Sequence, residues 1–148
     1  MFIFTEKFDT IEKDGLVLKI SQKYPGDEEM LPFYYYDIID IPSGETAGKI
    51  SVRIGNNFHS YYNGHIGYEV FEVYRGRGIA AKACKIVLDV ARFHGMTSIY
   101  LTCGESNAAS KKTIERHGAE FVECATVPKE YFAWREGMEK QIIYTLEL

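Results

Sequence analysis

A glycine-rich turn between a strand-like run and a helix-like run is the feature that most restricts how this chain can fold. Residues 66–73 are rich in β-branched and aromatic side chains, and apolar residues from Ile79 onward recur every three to four positions. The chain is therefore expected to turn from strand to helix at Gly76 and Gly78. Because the first N–H groups of a helix have no partner within it and carry the positive end of its dipole, this junction predicts a site for an anionic diphosphate.

The residues of this turn also resemble a family signature. The hexapeptide 75–80, RGRGIA, is similar to the Q/R-x-x-G-x-G/A loop with which the GNAT acetyltransferases bind the pyrophosphate of acetyl-coenzyme A. Segments 107–110 and 115–121 are similar to the family's second landmark, a helix that begins with N-x-x-S and the strand that follows it. The two landmarks occur in the family's order, and the resemblance covers residues 64–127.

The resemblance implies which residues hold acetyl-coenzyme A. The pyrophosphate loop is expected at Arg75, Gly76, Arg77, Gly78, Ile79 and Ala80. Asn107 and Ser110 resemble the family's contacts to the pantetheine and phosphate portions, and both side chains are also suited to capping a helix. In the strand before the turn, Val70 and Phe71 are expected to contact the cofactor, and backbone N–H groups of residues 69–71 would polarise the thioester oxygen.

Transfer of the acetyl group to an amine also requires a base, because an ordinary alkylamine has a pKa of about 10. Glu69 is the first candidate, since it precedes the turn on the strand along which the family places pantetheine; an ordinary solvated glutamate is the alternative interpretation. Glu105, at the end of the following strand, is the second candidate. The family's usual tyrosine, which protonates the leaving thiolate, is replaced by Ile114, so Tyr131, Tyr144 or solvent would serve. A primary amine is expected to attack the thioester directly.

Two other functions fit parts of the sequence. Gly76, Gly78 and Ala81 match the G-x-G-x-x-G/A pattern of dinucleotide-binding oxidoreductases, with Glu105 somewhat beyond the usual acidic position. The hairpins expected before the turn and the short chain after it disfavour the doubly wound sheet of that class. A module that binds acyl-coenzyme A without turnover is the third hypothesis, because Ile114 stands in place of the usual acid.

The remaining pattern predicts a single α+β domain over residues 1–148, three-layered, with a mixed, mostly antiparallel sheet. Strands are expected at 16–21, 33–41, 47–54, 66–73, 97–103, 120–126 and 141–148, and helices at 78–94 and 107–117. The strand–helix–strand unit at the glycine turn should be a right-handed crossover with parallel strands. Residues 21–33 are too short for the two helices that the family has there, so the acceptor pocket is expected to be open, or completed by another loop or by the second subunit of a homodimer.

Composition and charge argue against several classes of protein. The formal charge of −4 comes without a basic block, which disfavours a nucleic-acid partner. The three cysteines have no C-x-x-C spacing and the four histidines have no metal-ligand spacing, which predicts reduced thiols and no metal site. No apolar run approaches the length of a membrane span and no leader-like segment opens the chain, so a cytoplasmic protein without membrane contact is expected.

Overall fold

The computed structural model describes residues 1–148 and contains eight strands and three α-helices. The strands are β1 (Thr10–Lys13), β2 (Leu16–Tyr24), β3 (Phe33–Asp40), β4 (Thr46–Arg53), β5 (Ile66–Val70), β6 (Ser98–Gly104), β7 (Glu120–Ala125) and β8 (Gln141–Glu147). The helices are α1 (Phe58–Asn63), α2 (Ile79–Phe93) and α3 (Ala108–Arg116), and short 3₁₀ turns occur at Glu6–Phe8 and Glu72–Tyr74. The predicted α+β class is confirmed.

The strands form two antiparallel sheets, ordered β1-β2-β3-β4-β5 and β6-β8-β7. The crossover strands β5 and β6 do not pair, so the predicted parallel pairing was wrong. Just before β5, the N–H of His65 donates to Tyr100 O on β6 at 2.9 Å. The N–H of Tyr100 donates to the ring nitrogen His65 Nδ1, also at 2.9 Å, and the ladder does not continue into β5. The sheets diverge from this point and leave β5 without a neighbour on one edge.

The ring of His65 links the two sheets. With Nδ1 accepting from Tyr100, the proton lies on Nε2, which is 2.8 Å from Gly55 O. The ring is fully buried, and this burial lowers the pKa of His65 below its usual value. Both nitrogens are therefore engaged with backbone groups, and the imidazole is neutral at pH 7.

Helix α2 covers one face of the first sheet. Its buried side chains recur at helical spacing and are Ile79, Ala83, Cys84, Ile86, Val87, Leu88, Val90 and Ala91. Tyr34, Tyr36 and Ile38 of β3 are fully buried in the same core of 26 residues. Burial of one such side chain contributes about 1.5–3 kcal/mol to the free energy of folding. The eight buried side chains together hold α2 against the sheet and so determine where the helix begins relative to β5.

The opposite face of the first sheet is not covered by a helix inserted between β2 and β3. Residues 25–32, which join these strands, form neither helix nor strand. This confirms the expectation from the sequence that the segment between β2 and β3 does not contain the two helices found there in the family. Phe33, Tyr35, Lys49 and Arg53 are half-buried on this face as a result.

Two elements were not predicted from the sequence, the short strand β1 and the helix α1. Helix α1 lies in the tyrosine-rich segment before β5 and begins with a capping box between Asn57 and Ser60. Its six residues are too few for a helical repeat of apolar residues to be recognised. No helix of the chain is both long enough and apolar enough to cross a membrane.

Candidate active site

The chain turns from β5 into α2 at the two glycines, as predicted. Gly76 and Gly78 have φ angles of 81° and 72°, in the left-handed region that favours glycine. Gly78 is the N-cap of α2 and makes no side-chain cap hydrogen bond. The first intrahelical bond runs from the Lys82 N–H to Gly78 O at 3.1 Å. The N–H groups of residues 79–81 therefore have no partner within the helix.

Residues 79–81 line a cleft of about 600 Å³, a size typical of small-molecule sites. The cleft is bounded by β5, the glycine turn and α3. The predicted site residues that line it are Glu69, Val70, Arg75, Gly76, Gly78, Ile79, Ala80, Asn107 and Ser110. The fold thus brings both sequence landmarks together although α2 and β6 separate them in the chain.

Three of the predicted site residues do not line this cleft. Phe71 packs against the core, and the Arg77 guanidinium lies 5.2 Å from the centre of the Tyr74 ring. Glu105 accepts a hydrogen bond from the Cys124 thiol on β7 at 3.3 Å, and this contact raises the pKa of Cys124. The roles expected for these three residues remain predictions.

The backbone of β5 presents hydrogen-bonding groups to the cleft. The Phe71 N–H donates to Ala47 O at 2.8 Å, which marks a hydrogen-bonded pair at the end of the β4–β5 ladder. Such pairs alternate along an antiparallel ladder, so Glu69 also bonds to β4, whereas Tyr68 and Val70 point their N–H and C=O groups to the other edge. No strand pairs with that edge.

Two N–H groups on this edge remain free donors. The carbonyl of Val70 accepts from Arg75 Nε at 3.0 Å, which folds the arginine back onto the strand. The N–H groups of Val70 and Tyr68 have no such partner. Of the N–H groups of residues 69–71 considered from the sequence, only that of Val70 therefore points to the cleft. Donors in this arrangement can hold a carbonyl oxygen.

Tyr68 is a cleft residue that the sequence reasoning missed. Its hydroxyl donates to Ser110 Oγ at 3.2 Å, and burial raises the pKa of Tyr68. The Ser110 N–H donates in turn to Oδ1 of Asn107, the N-cap of α3, at 3.1 Å. Tyr131 and Tyr144, the two tyrosines considered from the sequence, do not line the cleft. Alternation along the strand before the turn was the signal that could have found Tyr68.

Two arginines give the cleft positive charge. Arg75 follows β5, and Arg116 lies in the last turn of α3. Neither takes part in either of the two salt bridges of the structure. Arg116 was also missed, although its spacing from Ala109 and Thr113 places all three on one helical face. Arg75 Nε is engaged with Val70 O, but its two terminal nitrogens and the guanidinium of Arg116 make no hydrogen bond within the protein and are suited to binding phosphate oxygens.

The side chain of Glu69 is exposed at the cleft. Its register partner on β4 is Lys49, but the two side chains form no salt bridge. Lys49 Nζ instead lies 5.9 Å from the centre of the Tyr35 ring. The Glu69 carboxylate is therefore free to accept a proton or a hydrogen bond from a ligand.

The three thiols are free, with Cys84 and Cys103 buried and Cys124 exposed. No group of three or more His, Cys, Asp or Glu side chains is close enough to hold a metal ion.

The sequence profile of the acetyltransferase (GNAT) family matches residues 6–119, most of the chain, so this protein belongs to that family. The match confirms the resemblance drawn from the two landmarks. No curated protein matches the sequence significantly. The dinucleotide-binding alternative requires a doubly wound parallel sheet, which the two antiparallel sheets contradict.

Solved acetyltransferase structures share the fold at low sequence identity. The Salmonella typhimurium enzyme that modifies the N-terminal serine of ribosomal protein L7/L12 is 18% identical with a TM-score of 0.57, and 78% of this chain and 64% of that chain are covered. The Vibrio fischeri ribosomal-protein-S5-alanine acetyltransferase is 22% identical with a TM-score of 0.58 and coverages of 78% and 61%. The microcin C7 self-immunity acetyltransferase MccE, in complex with acetyl-CoA and AMP, is 20% identical with a TM-score of 0.60 and coverages of 78% and 61%. This chain spans less than two thirds of the length of each.

Proposed function

We propose that this protein is an N-acetyltransferase that moves an acetyl group from acetyl-coenzyme A to a primary amine. The observation that carries the proposal is the uncapped start of α2, where the free N–H groups of residues 79–81 share one cleft with Arg75 and Arg116. A diphosphate supplies both negative charge and acceptor oxygens to these groups. The acetyl-CoA complex of MccE, which has the same fold, supports this assignment.

The rest of the coenzyme would lie along the free edge of β5. The N–H groups of Tyr68 and Val70 are donors suited to the pantetheine amide and the thioester oxygen, while Asn107 and Ser110 line the α3 side of the cleft. A donor aimed at an oxygen that becomes negative during the reaction typically contributes a factor of about 10²–10³ to kcat.

Glu69 is the proposed base. The attacking amine must lose a proton, and the Glu69 carboxylate has no competing ion pair. It would take that proton directly or through one water molecule. The amine nitrogen then forms its bond to the acetyl carbon, and the carbon–sulfur bond breaks.

Tyr68 is the proposed donor to the leaving sulfur. Ile114, which stands where the family usually has a tyrosine, is a buried hydrocarbon side chain and has no proton to donate. Tyr68 lines the cleft, and burial raises the pKa of its hydroxyl, which is therefore protonated at neutral pH. By rotating its O–H from Ser110 Oγ, it would donate a hydrogen bond to the thiolate.

The proposed acceptor is a primary amine, and the proposal does not specify which molecule carries it. The names of the structural relatives include modification of an N-terminal serine and self-immunity to microcin C7, so peptides and small molecules both belong in an acceptor screen. A homodimer that completes the acceptor side and a cytoplasmic location remain predictions.

Thermal unfolding with acetyl-coenzyme A, coenzyme A, NADH and NADPH in parallel tests the proposal. A ligand that binds only the folded state adds about 2.7 kcal/mol to the free energy of unfolding at 100 times its Kd. We expect the two coenzyme A species alone to raise Tm. A rise with a nicotinamide dinucleotide alone would contradict the proposal.

A further inference from the structure

The guanidinium of Arg53 is a half-buried charge without a carboxylate partner. Arg53 ends β4, and its Nη1 donates to Gly64 O at 3.1 Å, the single hydrogen bond that its side chain makes within the protein. It takes part in neither salt bridge. A guanidinium offers five N–H donors, so most of its hydrogen-bonding capacity is unused.

The surroundings of Arg53 do not compensate its charge. Burial lowers the pKa of Arg53, and the nearby groups that act on it are uncharged at pH 7: Tyr131, whose pKa is raised by burial, and His65, whose pKa is lowered. A buried charge normally has a counter-ion, because removal from water costs free energy that only an opposite charge or several hydrogen bonds offset. An anionic ligand would supply both.

Arg53 lines a shallow pocket with Glu29, Phe33, Asn57, His59 and Phe132. Arginine is the one permanent cation in this lining, and Glu29 adds a negative charge at the exposed rim. A phosphate dianion would meet a single positive charge and one negative charge here. A carboxylate, which carries one charge and pairs with a guanidinium through two parallel hydrogen bonds, fits better.

The pocket lies beside the proposed reaction site. A Cβ atom built on Gly67 would be 3.3 Å from Arg53 Nη2, so the guanidinium rests against the backbone of β5. Glu69 is two residues further along the same strand face, at a spacing of about 7 Å. A ligand on Arg53 could therefore present an amine to Glu69 without crossing the strand.

We propose that Arg53 binds a carboxylate of the acceptor, so that the acceptor carries both an amine and a carboxylate, which together span the neighbouring positions of Arg53 and Glu69. This inference rests on the proposed acetyltransferase function. Two sources share that chemistry, a free amino acid and a peptide with an acidic side chain next to its N-terminus.

Matched acceptors test the proposal. One arm uses glycine, β-alanine and γ-aminobutyrate against their amides, which differ only in the carboxylate. The other arm uses seryl-glutamate amide against seryl-glutamine amide. We expect kcat/KM of the wild type to favour the carboxylate member of at least one arm by about 10- to 100-fold, and the favoured arm identifies the source. Equal rates within every pair would overturn the role of Arg53.

Variants separate a binding role from a structural one. Arg53→Gln should raise KM for the carboxylate acceptor by about 10- to 100-fold, leave KM for the amide and for acetyl-coenzyme A unchanged, and be partly rescued by Arg53→Lys. The control variant Lys19→Gln removes a charge from an exposed position of the same sheet face. It should change none of these three KM values. An equal rise for acid and amide would contradict the proposal.

Direct binding keeps this test independent of turnover. Calorimetry with coenzyme A present measures whether the wild type binds the carboxylate probes more tightly than their amides, and whether Arg53→Gln abolishes the difference. If the wild type acetylates no amine, the proposed function fails, while this binding comparison still decides the role of Arg53. Identical binding of acid and amide would overturn it.

Discussion

The two sides of β5 build their sites from different parts of the chain. On the cofactor side, the groups that would bind are mostly backbone N–H donors, at the start of α2 and on the free edge at Tyr68 and Val70. On the acceptor side they are side chains, chiefly Glu69 and Arg53. The donors at the start of α2 need only a local conformation, whereas the free edge of β5 and the side chains from β4 and β5 depend on how the sheets assemble.

The largest expected effect is a loss of kcat, caused by a substitution on the acceptor side. Glu69→Gln keeps the size of the side chain but removes the base, and we expect kcat to fall by about 10²–10⁴ while the Kd of acetyl-coenzyme A stays the same. Glu72→Gln, an exposed neighbour outside the cleft, should retain wild-type kcat. Steady-state kinetics with calorimetry checks both, and unchanged turnover of Glu69→Gln would remove it from the mechanism.

The next largest effect is a loss of affinity for acetyl-coenzyme A, caused by a substitution on the cofactor side. Gly78→Glu places a carboxylate where the diphosphate should bind, and a like-charge contact costs several kcal/mol, so the affinity for acetyl-coenzyme A should fall at least about 100-fold.

Gly95→Glu is the matched control for this variant. Gly95 has a φ angle of 85°, and like Gly78 it has nothing within 4 Å of an added Cβ, but it lies at the other end of α2. Calorimetric titration should show normal binding for this variant. Equal losses in both variants would mean that backbone strain, and not the diphosphate site, is being measured.

A third substitution should disturb both sides at once. A Cβ atom added at Gly48 would lie 2.1 Å from the backbone oxygen of Glu69, so Gly48→Ala must displace β5 and should lower the free energy of unfolding by about 1–3 kcal/mol. At Gly104 the added atom would meet Glu139 Oε1 at 2.7 Å. This carboxylate accepts hydrogen bonds from Ser106, but a side chain can shift where a strand backbone cannot, so Gly104→Ala should cost less. Equal costs in denaturant unfolding would contradict this account of β5.

The smallest effects are expected from the two helix-capping asparagines, one on the cofactor side and one on the acceptor side. Asn107 caps α3 at the cofactor cleft and Asn57 caps α1 beside the Arg53 pocket, so replacing either by Ala should cost about 1 kcal/mol of stability. Asn107→Ala should weaken acetyl-coenzyme A binding only, and Asn57→Ala should raise KM for the amine only. Both variants shifting the same constant would show that the two sides are not independent.

The glycine turn and the N-terminal end of α3 could be predicted from the sequence because each of their signals is local. The left-handed glycines, the uncapped start of α2 and the Asn107 cap are each determined within a few residues. The family landmarks then joined segments that the fold does bring to one cleft.

The remainder depended on contacts between distant parts of the chain. Sequence patterns could not indicate that the His65 ring would accept the N–H of Tyr100, 35 residues away, or that β5 and β6 would lie in separate sheets. Sequence patterns also could not predict the surroundings of Arg53. In the sequence it is an ordinary charged residue at the end of a strand, and only the fold brings Gly64 and Gly67 against its guanidinium.

Release of coenzyme A thiol from acetyl-coenzyme A across a panel of amines, with the products weighed by mass spectrometry, tests the central claim most directly. We expect amine-dependent thiol release with an equal amount of N-acetylated product, and Glu69→Gln should lose most of that rate. Tight binding of acetyl-coenzyme A with no acetylated product from any amine would contradict the claim and identify the protein as a binding module without turnover.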